Sequence, residues 1–115
     1  MTKTSKPWGE TRRIATTPLL EIDRIVIEKG GVCSEHIHQF KINAFFVESG
    51  ELLIREWDEK NLKREFVLTA GAYHEVQPNV HHQFEALTKV IAFEFYYPKL
   101  VGPDIVRRTE GYRAT

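Results

Sequence analysis

The stretch from Gly30 to Gly50, GGVCSEHIHQFKINAFFVESG, holds two histidines one residue apart in a chain that has five. Side chains at i and i+2 of an extended segment point to the same face. His36 and His38 therefore present two imidazoles side by side, at a spacing suited to one metal ion. A Gly-Gly turn opens the stretch and Gly50 ends the short apolar strand NAFFVESG. A histidine pair on a strand that faces water would read the same way, so the rest of the chain must decide.

Outward from this stretch the signals are those of strands. LLEIDRIVIEKGG alternates, with Ile22, Arg24, Val26 and Glu28 on one side and Asp23, Ile25 and Ile27 on the other. ELLIREW and REFVLTAG flank the polar connection DEKNLK, AYHEVQ follows a turn at Gly71, HHQFEA resumes after Pro78-Asn79, and TKVIAFEFYYP runs until Pro98. No stretch keeps a helical period over three turns. Short strands with Gly and Asn/Pro punctuation imply an all-β sandwich or barrel. A length of 115 residues fits one domain, with a barrel core over about 20–98 and a tail over 99–115. That tail, KLVGPDIVRRTEGYRAT, is expected as a short helix after Pro103 or as an extended segment, packed on the barrel or flexible.

Composition narrows the function classes. A hydrophobic share of 42% marks a globular chain. A formal net charge of zero argues against binding driven by phosphate neutralisation, so nucleic acid is not the expected partner. Cys33 is the one cysteine, which rules out an intrachain disulfide and fits a reduced setting. There is no apolar run of membrane-spanning length and MTKTSKPWGE lacks the apolar part of a signal peptide. A soluble, cytoplasmic protein without a membrane partner is expected. Both ends are mildly basic, which reads either as solvated tails or as a folded-back end that helps hold a small anion.

A third histidine lies in QPNVHHQF. Neighbouring strand residues face opposite ways, so of His81 and His82 only one can join His36 and His38. The ordered set Gly31, His36-x-His38, residue 43, Gly50, then Gly71, Pro78 and His82 resembles the two motifs of the cupin superfamily. The resemblance implies a double-stranded β-helix, the jelly-roll barrel of cupins, with His36, His38 and His82 binding one metal and His81 pointing away. It departs from the pattern at Asn43, which stands where the family has Glu, and at Asn79, which stands where it has Gly. Asn tolerates a left-handed turn, so the second departure is mild. KPWGE at 6–10 and GPDIVRRTEGYR at 102–113 are similar to the opening and closing segments of the type II mannose-6-phosphate isomerase domain, also found fused to mannose-1-phosphate guanylyltransferases. That resemblance names a sugar or sugar phosphate as the ligand, and the loss of Glu at 43 bears on whether isomerase activity survives.

Three neutral imidazoles, with the Asn43 amide oxygen as a weak fourth ligand, suit Zn²⁺, Fe²⁺, Ni²⁺ or Cu²⁺ and disfavour Mg²⁺ or Ca²⁺. The expected cofactor is one divalent ion, Zn, Fe, Ni or Mn. Glu94, flanked by aromatics in AFEFYY, becomes a base if it faces inward, since burial raises a carboxyl pKa. His74 is the other candidate proton carrier. Arg12, Arg13, Lys99 and Arg107 are candidates to hold a phosphate, Tyr96 and Tyr97 to stack on a sugar ring, and Glu48 reads as an exposed charge. Three functions follow: a metal-dependent sugar-phosphate isomerase, a binding cupin that has lost the metal Glu, and a three-histidine Fe(II) dioxygenase. A homodimer paired through edge strands is the expected assembly.

Overall fold

A computed structural model of the chain describes residues 3–58, 61–98 and 108–114. Nine strands follow in order: β1 (Lys3–Lys6), β2 (Gly9–Thr17), β3 (Leu20–Ile27), β4 (Ile42–Ser49), β5 (Leu52–Asp58), β6 (Asn61–Leu68), β7 (Tyr73–Val76), β8 (His81–Ala86) and β9 (Val90–Tyr97). They form a six-stranded sheet in the order β1-β2-β3-β9-β4-β7 and a three-stranded sheet in the order β6-β5-β8. All pairings are antiparallel. Among the described residues no helix is long and apolar enough to cross a membrane.

The strand period sorts the residues into layers. In the large sheet, Ile27 lies opposite Val90, Ile25 opposite Ala92 and Asp23 opposite Glu94. In the small sheet, Leu52 lies opposite Ala86, Ile54 opposite Phe84 and Glu56 opposite His82. Directly paired residues share a face, and all twelve are buried. The space between the sheets is therefore apolar at one end, through Ile27, Val90, Leu52 and Ala86. At the other end it is polar, through Asp23, Glu94, Glu56 and His82. Phe45 and Phe84 meet edge to face between these two zones, with ring centroids 6.0 Å apart.

The first residues are not a solvated tail: β1 and β2 extend the large sheet past β3. The turn between them carries Trp8 onto Phe84, ring centroids 5.1 Å apart. Gly9 makes this possible. Its φ is 152°, and a Cβ there would meet the Val26 carbonyl oxygen at 2.0 Å, so no other residue lets β2 approach β3 at this point. At the other end, residues 108–114 are exposed and without regular structure. The short helix or extended segment expected after Pro103, and the expected phosphate-holding Lys99 and Arg107, lie outside the described residues.

The register has a direct test. Ile54 is 1% exposed on the inner face, while Val67, paired with Leu53 on the outer face, is 44% exposed. Ile54→Ala is expected to cost about 2–5 kcal/mol in urea unfolding, and Val67→Ala about 0.5 kcal/mol or less. Equal costs would show that the register is shifted by one residue.

Candidate metal centre

Residues 30–38 run beside β8 as an irregular extended segment. His36 and His82 form an antiparallel bridge, with the His36 amide donating to the His82 carbonyl at 3.0 Å and the His82 amide to the His36 carbonyl at 2.9 Å. The Asn79 amide donates to the His38 carbonyl at 2.8 Å, and Asn79 has a φ of 66°, the left-handed conformation expected of it. The turn at Pro78-Asn79 thus ties the second motif to the first. One potential ligand atom from each of His36, His38 and His82 lies within 4.8 Å of the others. His82 is buried, whereas His81 on the opposite face is only partly buried.

His36 Nδ1 lies 2.7 Å from the Ser34 carbonyl and His82 Nδ1 lies 3.0 Å from the Val80 carbonyl. Donation from Nδ1 to these oxygens leaves Nε2 of each ring free for a metal. His38 Nε2 is buried with no hydrogen-bond partner. Burial lowers the pKa of His38 and pushes that of His82 down to about 4, so both rings are neutral at pH 7. His82 Nε2 also faces the Asn43 Oδ1 at 2.9 Å, which leaves His82 with two acceptors for one proton. An excess of lone pairs around an orphaned buried nitrogen fits a cation, and three imidazoles fit a borderline transition metal.

Asn43 differs from the expectation for it. Its amide does more than stand ready as a weak ligand: the Nδ2 donates to Glu94 Oε2 at 3.2 Å while Oδ1 faces His82. It is 1% exposed, and it links the histidine cluster to the carboxyl of β9. Glu94 faces inward. Its pKa is pushed up to about 7, because burial disfavours the anion more than the Tyr96 hydroxyl and Asn43 amide favour it, with Asp23 adding to the rise. Tyr96 packs edge-on to His38 at 5.2 Å between centroids, while Tyr97 faces outward and donates to Glu75 at 2.7 Å.

His74 faces inward but away from the cluster. Its Nε2 lies 2.6 Å from Glu56 Oε2, and Arg64 Nε donates to Glu56 Oε1 at 2.6 Å. Burial pushes Glu56 up, yet the bonds from His74 and Arg64 hold its pKa below the usual value. His74 is thus half of a buried bridge between the two sheets. Glu56 was not among the expected site residues, although the alternation Leu52, Ile54, Glu56 in ELLIREW places it on the inner face. Glu48 is exposed as expected.

A cavity of about 360 Å³ opens beside the cluster, lined by Lys6, Arg13, Ser34, His36, Glu94 and Tyr96 among others. Its volume suits a small polar molecule. Arg13 is ion-paired with Asp23 and Glu21, while Lys6 has no carboxylate partner among the described residues. Cys33 forms part of the wall. Burial pushes its thiol up to about 11, which keeps it from acting as a thiolate.

A sequence model of the cupin domain matches residues 23–97. The chain belongs to the cupin family. A search among curated proteins finds no significant match. Among solved structures, this cupin is similar to KdgF from Halomonas sp., with a TM-score of 0.75 at 17% identity over 87% of this chain and 90% of that one. It is also similar to an RmlC-like cupin from Shewanella frigidimarina, with a TM-score of 0.70 at 23% identity over 85% and 84% of the two chains. CapF from Staphylococcus aureus, a capsular polysaccharide assembling protein, matches with a TM-score of 0.74 at 17% identity, over 89% of this chain and 31% of CapF. The likeness is one of fold, and it agrees with the expected jelly-roll architecture.

The Glu94 environment predicts a pH effect on stability. A carboxyl with a folded pKa of about 7 holds its proton more tightly in the folded chain than in the unfolded one. Its contribution to stability is then lost as pH rises from the unfolded value toward 7, by about 3 kcal/mol in all. In metal-free protein, Glu94→Gln is expected to be more stable than wild type at pH 8 by an amount of that order and about equal to it at pH 4. The checking measurement is denaturant unfolding at both pH values; an equal offset at both would mean that the carboxyl does not titrate in this range.

Proposed function

We propose that this cupin holds one divalent transition-metal ion on His36, His38 and His82 and uses the adjoining cavity to isomerise a sugar or sugar phosphate. The observation that carries the reading is the meeting of three imidazoles, one with an orphaned buried Nε2, beside a cavity that also contains an inward carboxyl. When bound, such an ion supplies Lewis-acid polarisation of a carbonyl oxygen.

The chain's own groups supply the proton chemistry. Ionised Glu94 accepts a proton from the carbon next to the carbonyl and returns it to the neighbouring carbon. The hydroxyl proton passes in the same sense, from the oxygen on the deprotonated carbon to the former carbonyl oxygen, which interconverts aldose and ketose. Asn43 orients the Glu94 carboxyl through its Nδ2. His74 is bonded to Glu56, which favours Glu94 as the proton carrier. Among the described residues, Lys6 is the cavity cation without a carboxylate partner and is placed to meet a phosphate; Arg13 is already paired and Arg12 faces the other side of the sheet. CapF, which shares the fold, is a capsular polysaccharide assembling protein, and that supports a carbohydrate ligand. The mannose-6-phosphate isomerase-like ends of the chain support a sugar phosphate.

Asn43 favours a second reading. Without a carboxylate the ligand set stays neutral, which suits a three-histidine Fe(II) dioxygenase or a cupin that only binds its sugar or small acid.

Elemental analysis and turnover separate these. Wild type is expected to carry near-stoichiometric Zn, Fe, Ni or Mn, which His36→Ala and His82→Ala lose. Glu94→Gln is expected to keep the metal and to lose about 10²–10⁴-fold in aldose–ketose turnover of hexose phosphates. Metal without such turnover, but with oxygen uptake on a thiol or diketone, would transfer the assignment to the dioxygenase. No metal after reconstitution would leave a binding barrel.

A further inference from the structure

The six-stranded sheet is wider than the layer that faces it. The small sheet has three strands, and residues 30–38 add one extended segment beside β8. β1 and β2 are the last two strands on one side of the large sheet, and they run past this cover. Their register shows which residues line the uncovered strip. Thr4 pairs with Thr11, and Thr11 with Ile25, which is buried on the inner face; directly paired residues share a face. By the same register Arg13 turns inward beside the buried Asp23. Yet Thr4 is exposed, and Thr11 and Arg13 are only partly buried. The inner face of β1 and β2 is thus a polar ledge, about 10 Å wide at about 4.8 Å per strand.

The ledge continues the cavity beside the histidines. A hollow of about 290 Å³ is lined by Thr4, Thr11, Arg13 and Asp23, and all four also line the 360 Å³ cavity that reaches His36 and Glu94. Asp23 joins the two spaces, in register with Arg13 on one side and with Glu94 on the other. A site of this extent takes molecules larger than one sugar ring. The ledge is also held in place: Trp8, in the β1–β2 turn, packs on Phe84, and Gly9 lets β2 lie close against β3. A surface fixed before binding costs little to order.

The chemistry of the ledge suits a neutral polyhydroxyl ligand. Arg13 spends its donors within the fold, on Asp23, on the Thr16 hydroxyl at 2.7 Å and on Glu21 at 3.4 Å, so the hollow offers no unbalanced charge to a phosphate. Asp23 uses Oδ1 on Arg13, which leaves Oδ2 as an acceptor. The Thr4 and Thr11 hydroxyls have no hydrogen-bond partner among the described residues. Two hydroxyls that both donate and accept, beside a carboxylate oxygen that accepts, match the hydroxyls of a sugar.

We propose that this ledge is a second sugar subsite. The ring that meets the histidines and Glu94 carries a glycosidically linked neighbour, whose hydroxyls bond Thr4, Thr11 and Asp23. The inference rests on the reading of the cavity as a sugar site, and it names the substrate class as a disaccharide or longer glycan with its reducing end at the histidines.

The experiment is isothermal titration calorimetry of the full chain with glucose, galactose and mannose, and with the α- and β-linked reducing disaccharides built from them. At least one disaccharide is expected to bind about tenfold or more tighter than either of its component hexoses, as two added hydrogen bonds would give. The double variant Thr4→Val/Thr11→Val removes both hydroxyls and keeps strand propensity, whereas Thr4→Trp fills the ledge. Both are expected to abolish the disaccharide gain, with hexose affinity and near-UV circular dichroism as in wild type. Disaccharides that bind no better than their hexoses overturn the subsite and leave the cavity as a site for one sugar. A gain that survives both variants puts the second ring elsewhere and overturns the ledge. Absence of binding by every one of these sugars overturns the sugar-site reading itself, and the subsite with it.

Discussion

The seam of main-chain hydrogen bonds between residues 30–38 and β8 is the constraint on which the rest of the site depends. Gly30 and Gly31 pair with Ala86, Cys33 with Phe84, and His36 with His82 in both directions. Because the bonds are made by the backbone, the distance between His36 and His82 is set before either side chain chooses a rotamer. The turn at Asn79 adds the bond to the His38 carbonyl and brings the third ring to the same place. The jelly roll supplies the wall against which this seam lies, and the seam supplies the cluster.

The polar end of the interior would be costly if its groups were unpaired, since a buried polar atom without a partner loses its hydration for nothing. Most are paired. Asn43 joins His82 to Glu94, and Glu56 joins His74 to Arg64. The exception, His38 Nε2, sits among the three histidines. Two carboxyls share this end but differ in state. Glu56 is held ionised by two cationic or proton-donating partners, and burial raises the pKa of Glu94 to about 7 against the bonds from Tyr96 and Asn43. The environments push two like groups apart, which separates a structural charge from one able to exchange its proton.

Much of this was legible in residue order. The period of two in LEIDRIVI and in VIAFEFYY marked strands but left open which way Glu94 faces, and the His-x-His pair with Pro78-Asn79-x-x-His82 marked the cluster and the family. Other parts depended on pairings that no local pattern announces. Glu56 falls on the inner face by alternation, but the partners that let a charge remain there come from β6 and β7. The strands β1 and β2 were obscured by polar composition: GETRRIATT alternates too weakly in hydropathy to look like a strand, and it becomes one by lying against β3 with Arg13 turned toward Asp23 and Glu21. Asn43 was visible as a departure from the family, and its part as a link between His82 and Glu94 emerged only with the register of β4 against β9.

The antiparallel seam also bears on how the protein is made. Several pairings join strands far apart in the chain, β3 with β9, β4 with β9 and β5 with β8. Chains of this topology fold slowly, on the order of milliseconds to seconds, because the entropy of closing long loops is spent before the contacts form. His36 and His82 meet only when one of those long loops has closed. No partly folded intermediate that lacks this closure can present all three imidazoles, so anything that binds them selects the finished fold and adds to its stability by mass action. The cluster is thus a checkpoint on maturation as well as a candidate site of chemistry.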